Sequence, residues 1–201
     1  MKLERLVFGT TNPAKLKEWS ELLESVIPIL EISGFGKLPK PKEGGESFAE
    51  NAREKASHYA KLTGEYVISE DGGYEIDALG GAPGVMSRRI LPGGKDGTDQ
   101  ELIDFVLEKL KNVPLDKRTV KLTTSIALSD PEGNILFEEK ASSKGIVSQK
   151  PGSVLIPGYP FRTIHYFPKL GKTYAELTRK ERKKYSHKKR IARRLTKFLL
   201  E

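Results

Sequence analysis

The sequence predicts an α/β protein built on a mixed β-sheet. Three observations carry this expectation. Short apolar runs alternate with amphipathic helical patterns from Arg5 to Lys111, a long hairpin pattern follows, and the chain turns helical and basic from Tyr174 to its end. At 201 residues it is long enough for one core, or for a single domain of two lobes spanning residues 1–201.

Taken in order, Arg5 to Gly9 reads as a buried strand that runs into the polar loop Thr10-Thr11-Asn12. A helix follows, with Leu16, Trp19, Leu22 and Leu23 at helical spacing, Asn12 as its N-cap and Pro13 in its first position. Strand, polar loop and helix N-terminus together form a geometry that receives phosphate. Lys15 is electrostatically misplaced in a first turn, which a nearby anion would explain; the alternative is an ordinary capped helix with a solvated lysine. Ile27 to Ile32 reads as a second strand, and Gly34 to Gly45 as a loop containing Glu43. Ser47 and Glu50 form a capping-box pattern ahead of a helix whose apolar stripe is Phe48, Ala52, Ala56, Tyr59 and Ala60. Lys55 lies on that stripe, so it either snorkels outward or meets a buried charge.

Glu65 to Ser69 reads as the next strand, ending in the adjacent carboxylates Glu70 and Asp71 and then Gly72 and Gly73. Carboxylates at the end of a buried strand are costly unless a cation meets them. Glycines directly after them allow close approach of a ligand. The pattern fits a divalent metal held against phosphate oxygens, or else a solvated acidic turn. A helix is expected from Thr98 to Lys111. The segments Thr119–Leu128 and Ile135–Ala141 flank a turn at Asp130 to Asn134, and Gly145–Val147 extends the sheet. Lys150 to Pro168 reads as irregular, and everything from Tyr174 onward as helical.

Cysteine is absent and there are three histidines, which excludes disulfides and thiolate metal sites and gives no support to zinc chemistry. No apolar run is long enough to span a bilayer, and the N-terminus lacks a signal-peptide pattern, so a cytoplasmic location without membrane partners is expected. The formal net charge is +8, and thirteen Lys or Arg residues fall between Lys169 and Lys197 against Glu176 and Glu181 alone. That asymmetry points to an anionic partner. The same segment offers only Tyr174, Tyr185 and Phe198 for stacking, which argues against nucleic acid as that partner.

Four segments in order resemble the inosine triphosphate pyrophosphatase family: TTNPAK, ESFAENAREKA, SEDGGYEIDALGGAPGVMSRR and GKTYAELTRKERKKYSHKKRIARRL. The resemblance covers nearly the full chain. It implies an elongated mixed sheet with flanking helices, two lobes around a central nucleotide cleft, and a homodimer. The implied activity is Mg2+-dependent hydrolysis of inosine and xanthosine triphosphates and their deoxy forms to a monophosphate and pyrophosphate. By position, the resemblance assigns Thr10, Thr11, Asn12 and Lys15 to the phosphate loop, Glu43 and Asp71 to the metal, Lys55 to the phosphates, Glu70 to the acidic neighbour of the catalytic Asp71, and Gly72 to the phosphate side. His187 matches the histidine of the Ser-His-Arg motif.

Departures concentrate at the base-recognition end. The family's Gly-Phe-Gly-Tyr/Trp-Asp-Pro motif is replaced by Ile156 to Thr163. Either Phe161 takes the stacking position with Arg162 at the aspartate, or Tyr159 takes it with Pro160 there. Arg182 stands for a lysine, Lys188 for an arginine, and Gly72 for a serine. Altered base preference follows from these changes. A nucleotide-binding paralogue without turnover and a nucleic-acid binder using the basic C-terminal segment are the alternatives.

Overall fold

Strand β1 (Leu6–Phe8) is buried at every position, and it sits at the middle of a parallel trio with β2 (Ile29–Glu31) and β3 (Val67–Ile76). The computed structural model describes residues 3–41 and 44–201. The remaining elements are α1 (Pro13–Leu23), α2 (Phe48–Thr63), β4 (Pro83–Gly84), α3 (Asp99–Leu110), β5 (Thr119–Ser129), β6 (Ile135–Val147), β7 (His165–Phe167), β8 (Lys172–Thr173), α4 (Arg179–Tyr185) and α5 (His187–Leu200). The strands form one eight-stranded sheet in the order β2-β1-β3-β5-β6-β7-β8, with β4 paired to β3. Antiparallel pairs β3–β4, β6–β7 and β7–β8 make the sheet mixed.

Helices α1 and α2 start at the caps expected from the sequence: Asn12 caps α1, and Ser47 closes a capping box with Glu50. Thr98 closes a further capping box with Glu101 at the start of α3. Gly64 ends α2 with φ 67°, a left-handed conformation that favours glycine. Arg118, buried, ends α3 by donating to the carbonyls of Leu110 (2.7 Å) and Val113 (2.9 Å).

The chain divides into two compact units. The first comprises residues up to Asp71, Thr124–Ala141 and His187–Glu201. One sheet face there packs Leu6, Phe8, Ile68, Ile126 and Leu128 against Trp19 and Leu23 of α1 and Ile191, Leu195 and Leu199 of α5. The opposite face receives α2, with Val7 and Val67 against Tyr59 and Ala60, and Ala127 against Ala52 and Ala56. Each large side chain buried this way contributes about 1.5–3 kcal/mol. The second unit, Gly72–Thr123 and Ser142–Ser186, has its own core of Tyr74, Ile76, Leu102, Ile103, Val106, Leu110, Phe161 and Ile164. No described helix is long and apolar enough to cross a membrane.

Three expectations need correction. Strand β3 does not stop at Ser69; it continues through Glu70–Gly73 to Ile76, so the acidic pair lies in mid-strand and not in a turn. The segment 150–168 is not irregular throughout, because His165–Phe167 pairs with β6 and with β8. The helical pattern from Tyr174 breaks into α4 and α5 at Ser186, whose backbone is extended at ψ 117°, and residues 174–178 lie outside both helices.

Candidate active site

Successive side chains on a strand point to opposite faces. On β3, Glu70 therefore goes to the face covered by α1 and α5, and Asp71 to the face covered by α2. Their partners confirm the division. Glu70 is 3% exposed and receives Lys188 Nζ at 2.7 Å, the Trp19 indole N–H, and Lys15 Nζ at 3.4 Å. Burial alone pushes its carboxyl up, but Lys188 and Lys15, together with the hydrogen bonds from Lys188 and Trp19, outweigh burial and hold it at about 2. Lys188 is itself buried and also meets Glu18 at 3.0 Å. Glu70, expected beside Asp71 in the site, thus points to the opposite face of β3 and meets two ammonium groups and an indole. Lys188, expected at the base edge, meets Glu70 and Glu18.

The loop between β1 and α1, where phosphate is expected, is braced internally. Asn12 Oδ1 accepts from the backbone N–H of Ala14 (2.9 Å) and of Lys15 (3.4 Å), and Thr10 Oγ1 accepts from Asn12 N–H at 3.2 Å. Thr11 is exposed. A side chain at Gly9 would come within 2.5 Å of Ser69 Oγ and 2.8 Å of Tyr59, so only glycine lets β1 pass there. The anion that accounts for Lys15 in a first helical turn is Glu70, a residue of the same unit.

On the other face, Lys55 Nζ lies 2.9 Å from Asp71 Oδ1, and Asn51 Nδ2 donates to Asp71 Oδ2 at 3.1 Å. Lys55 thus meets a half-buried carboxylate and does not snorkel outward. Asn51 also accepts from Gly45 N–H at 3.0 Å, which ties the end of the preceding loop to the same carboxylate. Asn51 is a residue the sequence reading missed. Its signal is its position one helical turn before Lys55 on the buried face of α2. Glu43, the other expected metal ligand, lies outside the described residues. Among the described residues no three His, Cys, Asp or Glu side chains converge as a metal site. Asp71 fits a hard divalent cation as a single oxygen ligand, since each of its oxygens accepts one hydrogen bond and retains a lone pair. Gly72 follows it within the strand.

His187 is buried with Nε2 2.9 Å from Thr124 Oγ1. In the second unit, Phe161 is 6% exposed and stacks on Tyr74 with centroids 4.9 Å apart and rings 7° from parallel, so its face is part of the core. Tyr159 is half-buried, and the Arg162 guanidinium lies over its ring at 3.6 Å and over Tyr174 at 5.0 Å. Arg182 donates to the carbonyls of Leu177 and Ala175, each at 3.1 Å. Several of the thirteen basic residues thus have internal partners: Lys172 with Glu181, Arg182, Lys188, Arg194 with Glu139 and Lys197 with Glu201. These partners offset part of the charge asymmetry that pointed to an anionic partner.

The family model described as the Ham1 family matches residues 6–198. The chain belongs to the Ham1 family. It is 36% identical over 184 residues to the dITP/XTP pyrophosphatase of Desulfotalea psychrophila, covering 91% of this chain and 79% of that one. It is 36% identical over 188 residues to the dITP/XTP pyrophosphatase of Shigella flexneri, covering 92% and 93% respectively. Among solved structures, a HAM1 protein from Coxiella burnetii superposes with a TM-score of 0.84 at 33% identity, covering 98% of this chain and 99% of that one. The open mixed sheet with flanking helices is therefore the Ham1 fold.

Proposed function

We propose that this Ham1 protein is a nucleoside triphosphate pyrophosphatase that hydrolyses inosine and xanthosine triphosphates, and their deoxy forms, to the monophosphate and pyrophosphate. The observation that carries the reading is the cluster of Asn51 and Lys55 of α2 with Asp71 of β3, in a chain whose relatives bear the name dITP/XTP pyrophosphatase. Phosphoryl transfer needs charge neutralisation and an in-line water more than covalent catalysis. In this reading Asp71 accepts a proton from the attacking water. The new bond forms at the α-phosphorus, and the bond to the bridging oxygen breaks to release pyrophosphate. Lys55 and Asn51 fix the orientation of Asp71, and Lys55 brings an ammonium to the same place. Lys15, with Thr10, Thr11 and Asn12, receives the triphosphate at the N-terminus of α1.

Asp71 and Glu43 are the residues that would hold Mg2+, which would supply charge neutralisation at the phosphate oxygens. For the base, Tyr159 is the stacking ring, because Phe161 is consumed by its contact with Tyr74. A cytoplasmic homodimer is the assembly this reading carries, and sedimentation of the purified protein tests it. The activity is tested by a panel of nucleoside triphosphates assayed with Mg2+ for pyrophosphate release. Turnover of inosine and xanthosine triphosphates with one pyrophosphate per monophosphate supports the reading. Release of orthophosphate, or no turnover of any triphosphate, contradicts it.

A further inference from the structure

The loop that replaces the family's base-recognition motif is pinned at two places. Three residues before its start, Ser153 donates to Glu176 through its N–H and its Oγ, each at 2.8 Å. Further along, Ile156 to Tyr159 forms a tight turn: Tyr159 N–H donates to the Ile156 carbonyl at 2.9 Å, and Gly158 sits at φ 81° after Pro157. The Gly158 N–H at the apex donates to Asp99 Oδ2 at 2.7 Å. The other oxygen of Asp99 receives Arg88 Nη1 at 2.8 Å, and Arg88 Nη2 reaches the Gly97 carbonyl at 3.1 Å. Asp99 is the first residue of α3, whose buried face packs Phe161 and Ile164 into the core. The Asp99 carboxylate is thus clamped between a guanidinium and the one backbone N–H that immediately precedes Tyr159.

We infer that Asp99, oriented by Arg88, is a positioning residue that sets the Tyr159 ring for the base; the inference rests on the function proposed above. Charge-assisted hydrogen bonds of this kind are short and strong. They order the turn before ligand arrives, so binding does not bear the cost of ordering it. Asp99 lies away from the phosphate-end residues in sequence and belongs to the other unit. Its loss therefore acts on the base-bearing part of a ligand and leaves the polyphosphate part alone.

The test is the binding of two separate products, inosine monophosphate and pyrophosphate, to the wild-type protein and to Asp99→Ala and Asp99→Asn, measured by calorimetry. Asp99→Ala is expected to weaken inosine monophosphate roughly tenfold and to leave pyrophosphate within about twofold. Asp99→Asn keeps an acceptor for the Gly158 N–H and is expected to recover most of the loss. A merely structural role would weaken both ligands together, in step with a lowered melting temperature, and that result overturns the inference. So does an Asp99→Ala variant that binds inosine monophosphate as the wild type does. A wild type that binds neither ligand overturns the proposed function, and this inference with it.

Discussion

Glu70 and Asp71 are adjacent in sequence and face opposite sides of β3: Glu70 meets Lys188 at 2.7 Å on one side, and Asp71 meets Lys55 at 2.9 Å on the other. One carboxylate is thereby committed to holding α1 and α5 to the sheet. The other is left at the edge of α2 with lone pairs to spare.

Glu70→Gln removes the main partner of a buried ammonium. Breaking such a pair typically costs about 3–5 kcal/mol, and the nearby Glu18 offsets part of that. A loss of about 3 kcal/mol is expected in urea denaturation. Adding Lys188→Met should recover most of it, since an apolar replacement removes the stranded charge. A single variant as stable as the wild type would show that the buried network contributes nothing.

The same carboxyl sets an acid limit. Its value in the folded protein, about 2, lies below the ordinary 4.5. Its contribution is therefore complete above about pH 4.5 and is lost as the pH falls toward 2. Glu70→Gln should flatten the stability profile in that window, and equal slopes in both proteins would contradict the assignment.

His165 acts at higher pH. Burial first, and Arg162 second, depress its value to about 3 from 6.5. The unfolded chain binds a proton there first, so the stability His165 permits is present above pH 6.5 and lost as the pH falls toward 3, at up to about 1.4 kcal/mol per pH unit. Urea midpoints between pH 6.5 and 5 should fall for the wild type and fall less for His165→Gln. Parallel profiles would exclude His165 as the cause.

Lys15→Ala removes a cation from the N-terminus of α1 without touching the base. Michaelis constants for inosine, xanthosine and guanosine triphosphates should rise by a similar factor. A loss confined to one base would place Lys15 elsewhere in the site.

No carboxylate stands at Pro160 or Arg162 to accept from the purine N1–H, and stacking on Tyr159 tolerates any base. A missing partner in a desolvated site costs about 1–3 kcal/mol. Discrimination between inosine, xanthosine and guanosine triphosphates should therefore be weaker by about tenfold than a carboxylate acceptor would give. Specificity constants measured side by side decide this. A strong preference for inosine and xanthosine triphosphates over guanosine triphosphate would mean that the turn around Gly158 supplies the acceptor.

Much of this was legible in the sequence, because caps and periodicity are local. Asn12, Ser47 and Thr98 start helices where their side chains satisfy free N–H groups. What was not legible depends on tertiary partners. That β3 continues through Gly72 and Gly73 follows from its neighbours in the sheet, not from the propensity of two glycines. That Lys15 and Lys188 turn inward depends on Glu70, which lies far from both in sequence. That Phe161 stacks on Tyr74, more than eighty residues away, is a tertiary contact with no local signal. Asp99 lies at the start of an expected helix, and its hydrogen bond to Gly158 has no sequence signature.

The role of Asp71 is tested by pyrophosphate release from inosine triphosphate by Asp71→Asn beside the wild type, with Mg2+ present and melting temperatures recorded. Turnover should fall by roughly two to four orders of magnitude, because the variant loses both the proton acceptor and the anionic ligand. The fold should persist, since Asn retains the shape and one acceptor for Lys55. Near-normal turnover in a folded Asp71→Asn protein would contradict the account and move the hydrolytic centre away from β3.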